Sequence, residues 1–127
     1  MRQDANSVSS VLIVDDSEVI ADTLAMVLSA EGFRSVVAYS AADALKLLQT
    51  ESFDLLLTDV MMPGMTGIEL AIDVTRRQIA RAVLLMSGVA ATSDLLENAR
   101  KLGYNFEILA KPIYPTEVID KIREMLV

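Results

Sequence analysis

The chain has 127 residues, of which 53% are hydrophobic and 5% aromatic, and eighteen acidic against eleven basic side chains give a net charge of −7. That length suits one domain with a single substantial core, and the acidic surface disfavours direct contact with nucleic-acid phosphates. Cysteine and histidine are both absent, which excludes disulfides, thiol nucleophiles, thiolate metal sites and the commonest general base; a metal would need oxygen ligands, as Mg²⁺ or Ca²⁺ does.

Residues Met1 to Ser10 are polar and read as a flexible segment ahead of one domain over residues 11–127. They hold no apolar stretch that could serve as a signal peptide, and no run in the chain is long enough to cross a bilayer, so a soluble, cytoplasmic protein without membrane partners is expected. "VLIV" (Val11 to Val14) reads as a buried strand. A helix follows from about Ser17, its N-cap, to Ala30, with Gly32 as its stop. "RSVVAY" (Arg34 to Tyr39) is a second strand, and Ser40 caps a helix reaching Thr50. "DLLLT" (Asp54 to Thr58) is a third strand, Gly67 to Gln78 a helix, and "RAVLLM" (Arg81 to Met86) a fourth strand. Thr92 to Gly103 is a helix, Phe106 to Ala110 the fifth strand, and Pro115 opens a last helix running nearly to Val127.

Strict strand–helix alternation implies a parallel sheet with helices on both faces, joined by right-handed crossovers. Ligands of such sheets bind beyond the carboxyl ends of the strands. That rule collects Asp15 and Asp16 from the first strand, Asp59 from the third, Ser87 from the fourth and Lys111 from the fifth. Crowded carboxylates raise one another's proton affinity, and a divalent cation relieves the repulsion. A metal, a nucleophilic carboxylate, an ammonium and a hydroxyl are the parts of phosphoryl transfer, with Asp59 attacking phosphorus. Each part has a bland reading. "DD" can be an N-cap pair, Asp59 an Asx turn, Ser87–Gly88 a loop start and Lys111 a solvated strand end. Four such coincidences, in order at four strand ends, make the joint bland reading untenable.

The motifs "VDDS", "TDVMMPGMTG", "MSG" and "AKPI", over Val11 to Val127, resemble the response-regulator receiver domains of two-component signalling, of the chemotaxis-regulator type. The resemblance implies a single doubly wound (βα)5, flavodoxin-like α/β domain with strand order 2-1-3-4-5. It implies Asp15, Asp16, Asp59 and the Met61 backbone carbonyl as Mg²⁺ ligands, with Asp59 the phosphoacceptor. Ser87 matches the switch hydroxyl, and Lys111 the phosphate-binding lysine, ahead of a cis bond to Pro112. A sensor histidine kinase or histidine phosphotransfer protein would be the donor, in trans because this chain has no histidine. The signal would leave through the face of the fourth helix, fifth strand and fifth helix to an effector or output domain, and a phosphorylation-dependent dimer is compatible with that scheme. One departure is Ile108, where the family commonly places Tyr or Phe. Met61 and Val89, both apolar, would flank the acyl phosphate without orienting water, so a long-lived phosphorylated form is expected.

Alternatives are an Mg²⁺-dependent aspartyl phosphohydrolase, a flavodoxin-type cofactor binder and a degenerate receiver. The first lacks an acid at position 61 and a cap; "DDSE" would repel the phosphate of the second; the complete site argues against the third. A stand-alone receiver and a fragment of a larger regulator or hybrid kinase both remain open. The cluster Arg76, Arg77, Arg81 reads as a solvated helix end.

Overall fold

The computed structural model describes residues 8–88 and 93–127. Its elements are β1 (Ser10–Val14), α1 (Glu18–Ala30), β2 (Arg34–Ala38), α2 (Ala41–Leu48) and β3 (Phe53–Asp59), followed by α3 (Gly67–Arg77), β4 (Ala80–Ser87), α4 (Ser93–Lys101), β5 (Glu107–Ala110) and α5 (Pro115–Met125). The five strands form one parallel sheet in the order β2-β1-β3-β4-β5. The expected (βα)5 doubly wound topology is the one observed.

Both faces of the sheet are covered, which is why its central strands read as unbroken aliphatic runs and not as alternating ones. Val11, Ile13, Leu55, Leu57, Leu84 and Met86 point one way, onto α1 (Ala21, Leu24, Leu28) and α5 (Val118, Ile119, Ile122). Leu12, Val14 and Leu56 point the other way, onto α2 (Ala41, Ala44) and α3 (Leu70, Val74). A third cluster joins Leu85 to Ile68 and Ala71 of α3 and to Ala99 of α4. With few aromatic rings to fill space, the layers are packed by small aliphatic chains at close spacing.

Boundaries moved where tertiary contacts decided them. β3 extends to Asp59 because its pairing with β4 runs one residue past its pairing with β1, placing Asp59 in register with Met86. β1 starts at Ser10, where the flexible segment was expected to end. There the Ser10 N–H donates to Asp54 Oδ2 at 2.8 Å, and the Asp54 N–H donates to Ser10 Oγ at 3.1 Å. β2 stops at Ala38, freeing the Tyr39 hydroxyl to donate to Asp22 Oδ1 of α1 at 2.7 Å. Ser17 and Ser40 cap α1 and α2 as anticipated. α3 carries a full capping box: the Glu69 N–H donates to Thr66 Oγ1 and the Thr66 N–H to Glu69 Oε1. The T-x-x-E spacing from Thr66 to Glu69 is the sequence signature of such a box. Residues 1–7, the proposed helix start at Thr92 and the flanking residue Val89 lie outside the described residues.

Candidate functional site

Parallel strands end together, so the carboxyl edge of β1, β3, β4 and β5 brings the expected residues to one place. Ligand oxygens of Asp15, Asp16 and Asp59 lie within 4.8 Å of one another. Lys111 Nζ, arriving from the end of β5, sits 3.1 Å from Asp59 Oδ1. Ser87 ends β4 in register with Ala110, and its carbonyl accepts the Lys111 N–H at 2.9 Å. The backbone ladder of the sheet therefore links the hydroxyl-bearing residue to the ammonium-bearing one. The Lys111–Pro112 peptide bond is cis, as the motif led us to expect. Met61 lies two residues past Asp59 in the loop before α3, with a side chain 49% exposed.

Asp15 and Asp59 are both buried, whereas Asp16 is exposed. Asp15 Oδ1 accepts the Ser17 N–H at 2.9 Å, but its Oδ2 is buried without a hydrogen-bond partner. Burial pushes the Asp15 carboxyl above its ordinary value; the Ser17 N–H opposes the rise, Asp59 adds to it, Lys111 opposes it and Asp16 adds a little. An anionic oxygen shut away from water, on a carboxylate clustered with two others, is costly. Three clustered carboxylates, one of them with an orphaned oxygen, suit a hard cation with oxygen ligands, so the residues fit Mg²⁺.

Two residues support the acceptor from behind, Thr58 and Gly67. The Thr58 hydroxyl, buried, donates to the Asp59 carbonyl oxygen at 3.0 Å. Gly67, the first residue of α3, donates its N–H to the Val60 carbonyl at 2.8 Å, and a Cβ built on it would stand 1.9 Å from the Asp59 carbonyl oxygen. Glycine is required there for close approach, and that approach seats the start of α3 directly behind the acceptor. The Gly67 position was visible in the sequence; its distance from Asp59 was not.

The family model described as "Response regulator receiver domain" matches residues 11–123. Among curated proteins, the transcriptional regulatory protein YvrH of Bacillus subtilis is 33% identical over 119 residues, covering 93% of this chain and 49% of that protein. The sensory transduction protein RegX3 of Mycolicibacterium smegmatis is 34% identical, covering 93% and 50%. The chain thus spans about half the length of these relatives. Of solved structures, a CheY-like receiver domain protein from Methanospirillum hungatei superposes with a TM-score of 0.84 at 28% identity, covering 94% of each chain. The response regulator TrrA of Thermotoga maritima, solved in complex with Mg²⁺ and BeF, superposes with a TM-score of 0.78 at 25% identity, covering 93% of this chain and 99% of that one.

Proposed function

The chain belongs to the response regulator receiver domain family, and from that premise we propose that Asp59 accepts a phosphoryl group from a histidine kinase or histidine phosphotransfer protein in an Mg²⁺-dependent reaction. Members of the family are signalling domains that work with histidine kinases and effector domains, and they bind Mg²⁺ at an acidic pocket. The observation that carries the reading is the contact of Lys111 Nζ with Asp59 Oδ1, beside two further carboxylates at the same sheet edge. The relative solved with Mg²⁺ and BeF supports the assignment by similarity.

In this reading one Asp59 carboxylate oxygen forms a bond to phosphorus as the donor's N–P bond breaks, and the electron pair leaves on the imidazole nitrogen. Lys111 holds Asp59 in place beforehand and then serves the new phosphoryl oxygens. The phosphoryl oxygens would offer the Ser87 hydroxyl a charge-assisted partner. Asp15, Asp16, Asp59 and the Met61 backbone carbonyl would hold the Mg²⁺, which when bound neutralises charge on the transferring group. The only chemistry required is this self-directed transfer and the later hydrolysis of the acyl phosphate, in which water takes the phosphoryl group and Asp59 leaves as a carboxylate. The proposed receiver unit is residues 11–127, with Ser10 joining it as the first residue of β1. Its output is proposed to leave through α4, β5 and α5 to an effector, an attached output domain or a second copy, in the cytoplasm and without direct contact to DNA or membrane. No described helix is long and apolar enough to cross a membrane.

Incubation with acetyl phosphate and Mg²⁺, followed by intact-mass measurement, should show one added phosphoryl group. Asp59→Asn or excess chelator should abolish it. Labelling of the Asn variant at the wild-type level would overturn the assignment.

A further inference from the structure

Charge is segregated along the strand axis. Each helix of this topology starts at the carboxyl edge of the sheet, and each carries an acid in its first turn: Glu18, Asp43, Glu69, Asp94 and Glu117. The basic residues collect at the other end. Lys46, Arg76, Arg77, Arg100, Lys101 and Arg123 occupy the last turns of α2 to α5. Arg34 and Arg81 stand near the starts of β2 and β4.

The acids at that amino edge are largely neutralised in place. Arg76 and Arg77 both reach Asp73 at 3.2 Å, Arg100 reaches Glu97 at 2.7 Å and Arg123 reaches Glu31 at 2.9 Å. Arg34 pairs with Glu51. Among the described residues Lys111 is the one lysine or arginine at the carboxyl edge, and it faces Asp59. Among the described residues the carboxyl edge thus carries Asp15, Asp16, Asp59 and the five first-turn acids against Lys111 alone. Helix dipoles account for each acid singly and offset part of its charge, about half a unit per N-terminus; the parallel topology aligns five such ends, and the carboxylates there outweigh them. Met61, Met65, Val19 and Tyr114 add exposed apolar surface on the loops and first turns of the same edge.

We infer that this segregation filters phosphodonors: the carboxyl edge repels small anionic donors such as acyl phosphates and draws in a phosphohistidine presented on a lysine- and arginine-rich protein surface. The inference rests on Asp59 as acceptor. A focused field of one sign changes association rates by roughly ten- to a thousandfold, and salt suppresses it. The acidic edge acts on encounter, before any bond at phosphorus changes.

The test holds Mg²⁺ saturating and compares three probes on the intact chain: acetyl phosphate, a phosphohistidyl peptide flanked by lysines, and the same peptide flanked by glutamates. Raising ionic strength from about 20 to about 300 mM shortens the screening length roughly fourfold. Asp59 labelling by acetyl phosphate should rise, by roughly two- to tenfold, while labelling by the lysine-flanked peptide should fall. The two peptides should differ at low salt and converge at high salt. Asp43→Asn with Glu117→Gln, both exposed and outside the metal cluster, should shrink every one of these differences. Flat salt profiles, equal peptide rates, or an acetyl phosphate rate that falls with salt would each overturn the filter while leaving Asp59 as acceptor. If no probe labels Asp59, the acceptor assignment fails and the filter with it.

Discussion

Asp59 is held from behind. Its carbonyl oxygen accepts the Thr58 hydroxyl and lies where a side chain on Gly67 would collide with it. Gly67→Ala forces either α3 or the strand end to retreat, and overpacking of this kind costs about 1–3 kcal/mol. We expect a lower melting temperature together with slower labelling of Asp59 by acetyl phosphate. A variant as stable and as reactive as the parent would show that α3 gives way without moving the acceptor. At this scale the sequence was legible wherever a rule about strand ends applied, which covers Asp15, Asp16, Asp59, Ser87 and Lys111. It was silent where the content is a distance between atoms far apart in the chain. The orphaned Asp15 Oδ2 is of that kind too, since burial of one carboxylate oxygen depends on how the loop after β1 lies against Asp59.

At the scale of elements, the proposed output face is where the departure at Ile108 matters. Ile108 of β5 and Phe106, just ahead of it, pack against the same cluster as Val83 of β4 and Leu95 and Leu96 of α4. Tyr104 stacks on Phe106 with ring centroids 5.9 Å apart, and the Tyr104 N–H donates to the Ala99 carbonyl of α4 at 2.9 Å. Tyr114 is exposed ahead of α5. A β-branched chain at 108 is stiff at χ1 and has no ring to alternate between solvent and core. Phosphorylation should therefore reach α4, β5 and α5 as backbone repacking. Amide chemical shifts with and without a beryllofluoride mimic should change along these elements, and Ile108→Tyr should enlarge the response, because a stronger lever shifts the population further. An unperturbed face would refute coupling through Ser87; an unchanged response in Ile108→Tyr would show that the aromatic side chain was never limiting. Element identity and order were readable from aliphatic runs and caps. Element ends were not, because the reach of β3 to Asp59 comes from its pairing with β4, and β2 stops where its register with β1 ends, at Val14 and Ala38.

For the molecule as a whole, the acidic edge is a stability liability that the proposed metal relieves. The folded state holds the Asp15 carboxyl above its ordinary value, chiefly through burial, so it binds that proton more tightly than the unfolded chain does. Asp15 therefore costs stability at neutral pH, and the cost fades as pH falls through the raised folded value toward the ordinary one. Mg²⁺ needs ionised ligands, so its benefit runs the opposite way. It should raise the melting temperature at neutral pH, by an amount equivalent to about 2.7 kcal/mol at a hundredfold excess over its Kd, and progressively less on acidification. Asp15→Asn should melt higher than the parent without Mg²⁺ at neutral pH and gain less from the ion. Calorimetry on both chains, with and without Mg²⁺, decides it; an Asn variant that melts lower than the parent without the ion would contradict the liability.

The strand order leaves β2 and β5 as the two margins of the sheet. A bare margin is a template on which another chain can build, and so a route to aggregation. Here each begins with an exposed charged residue: Arg34 on β2, paired with Glu51 and lying over the Phe53 ring, and Glu107 on β5, paired with Lys121. β5 is also only four residues long. An incoming strand would have to strip these charges of water and partners for few hydrogen bonds in return. The same ion pairs that empty the amino edge of net charge thus guard the sheet against amyloid-like stacking.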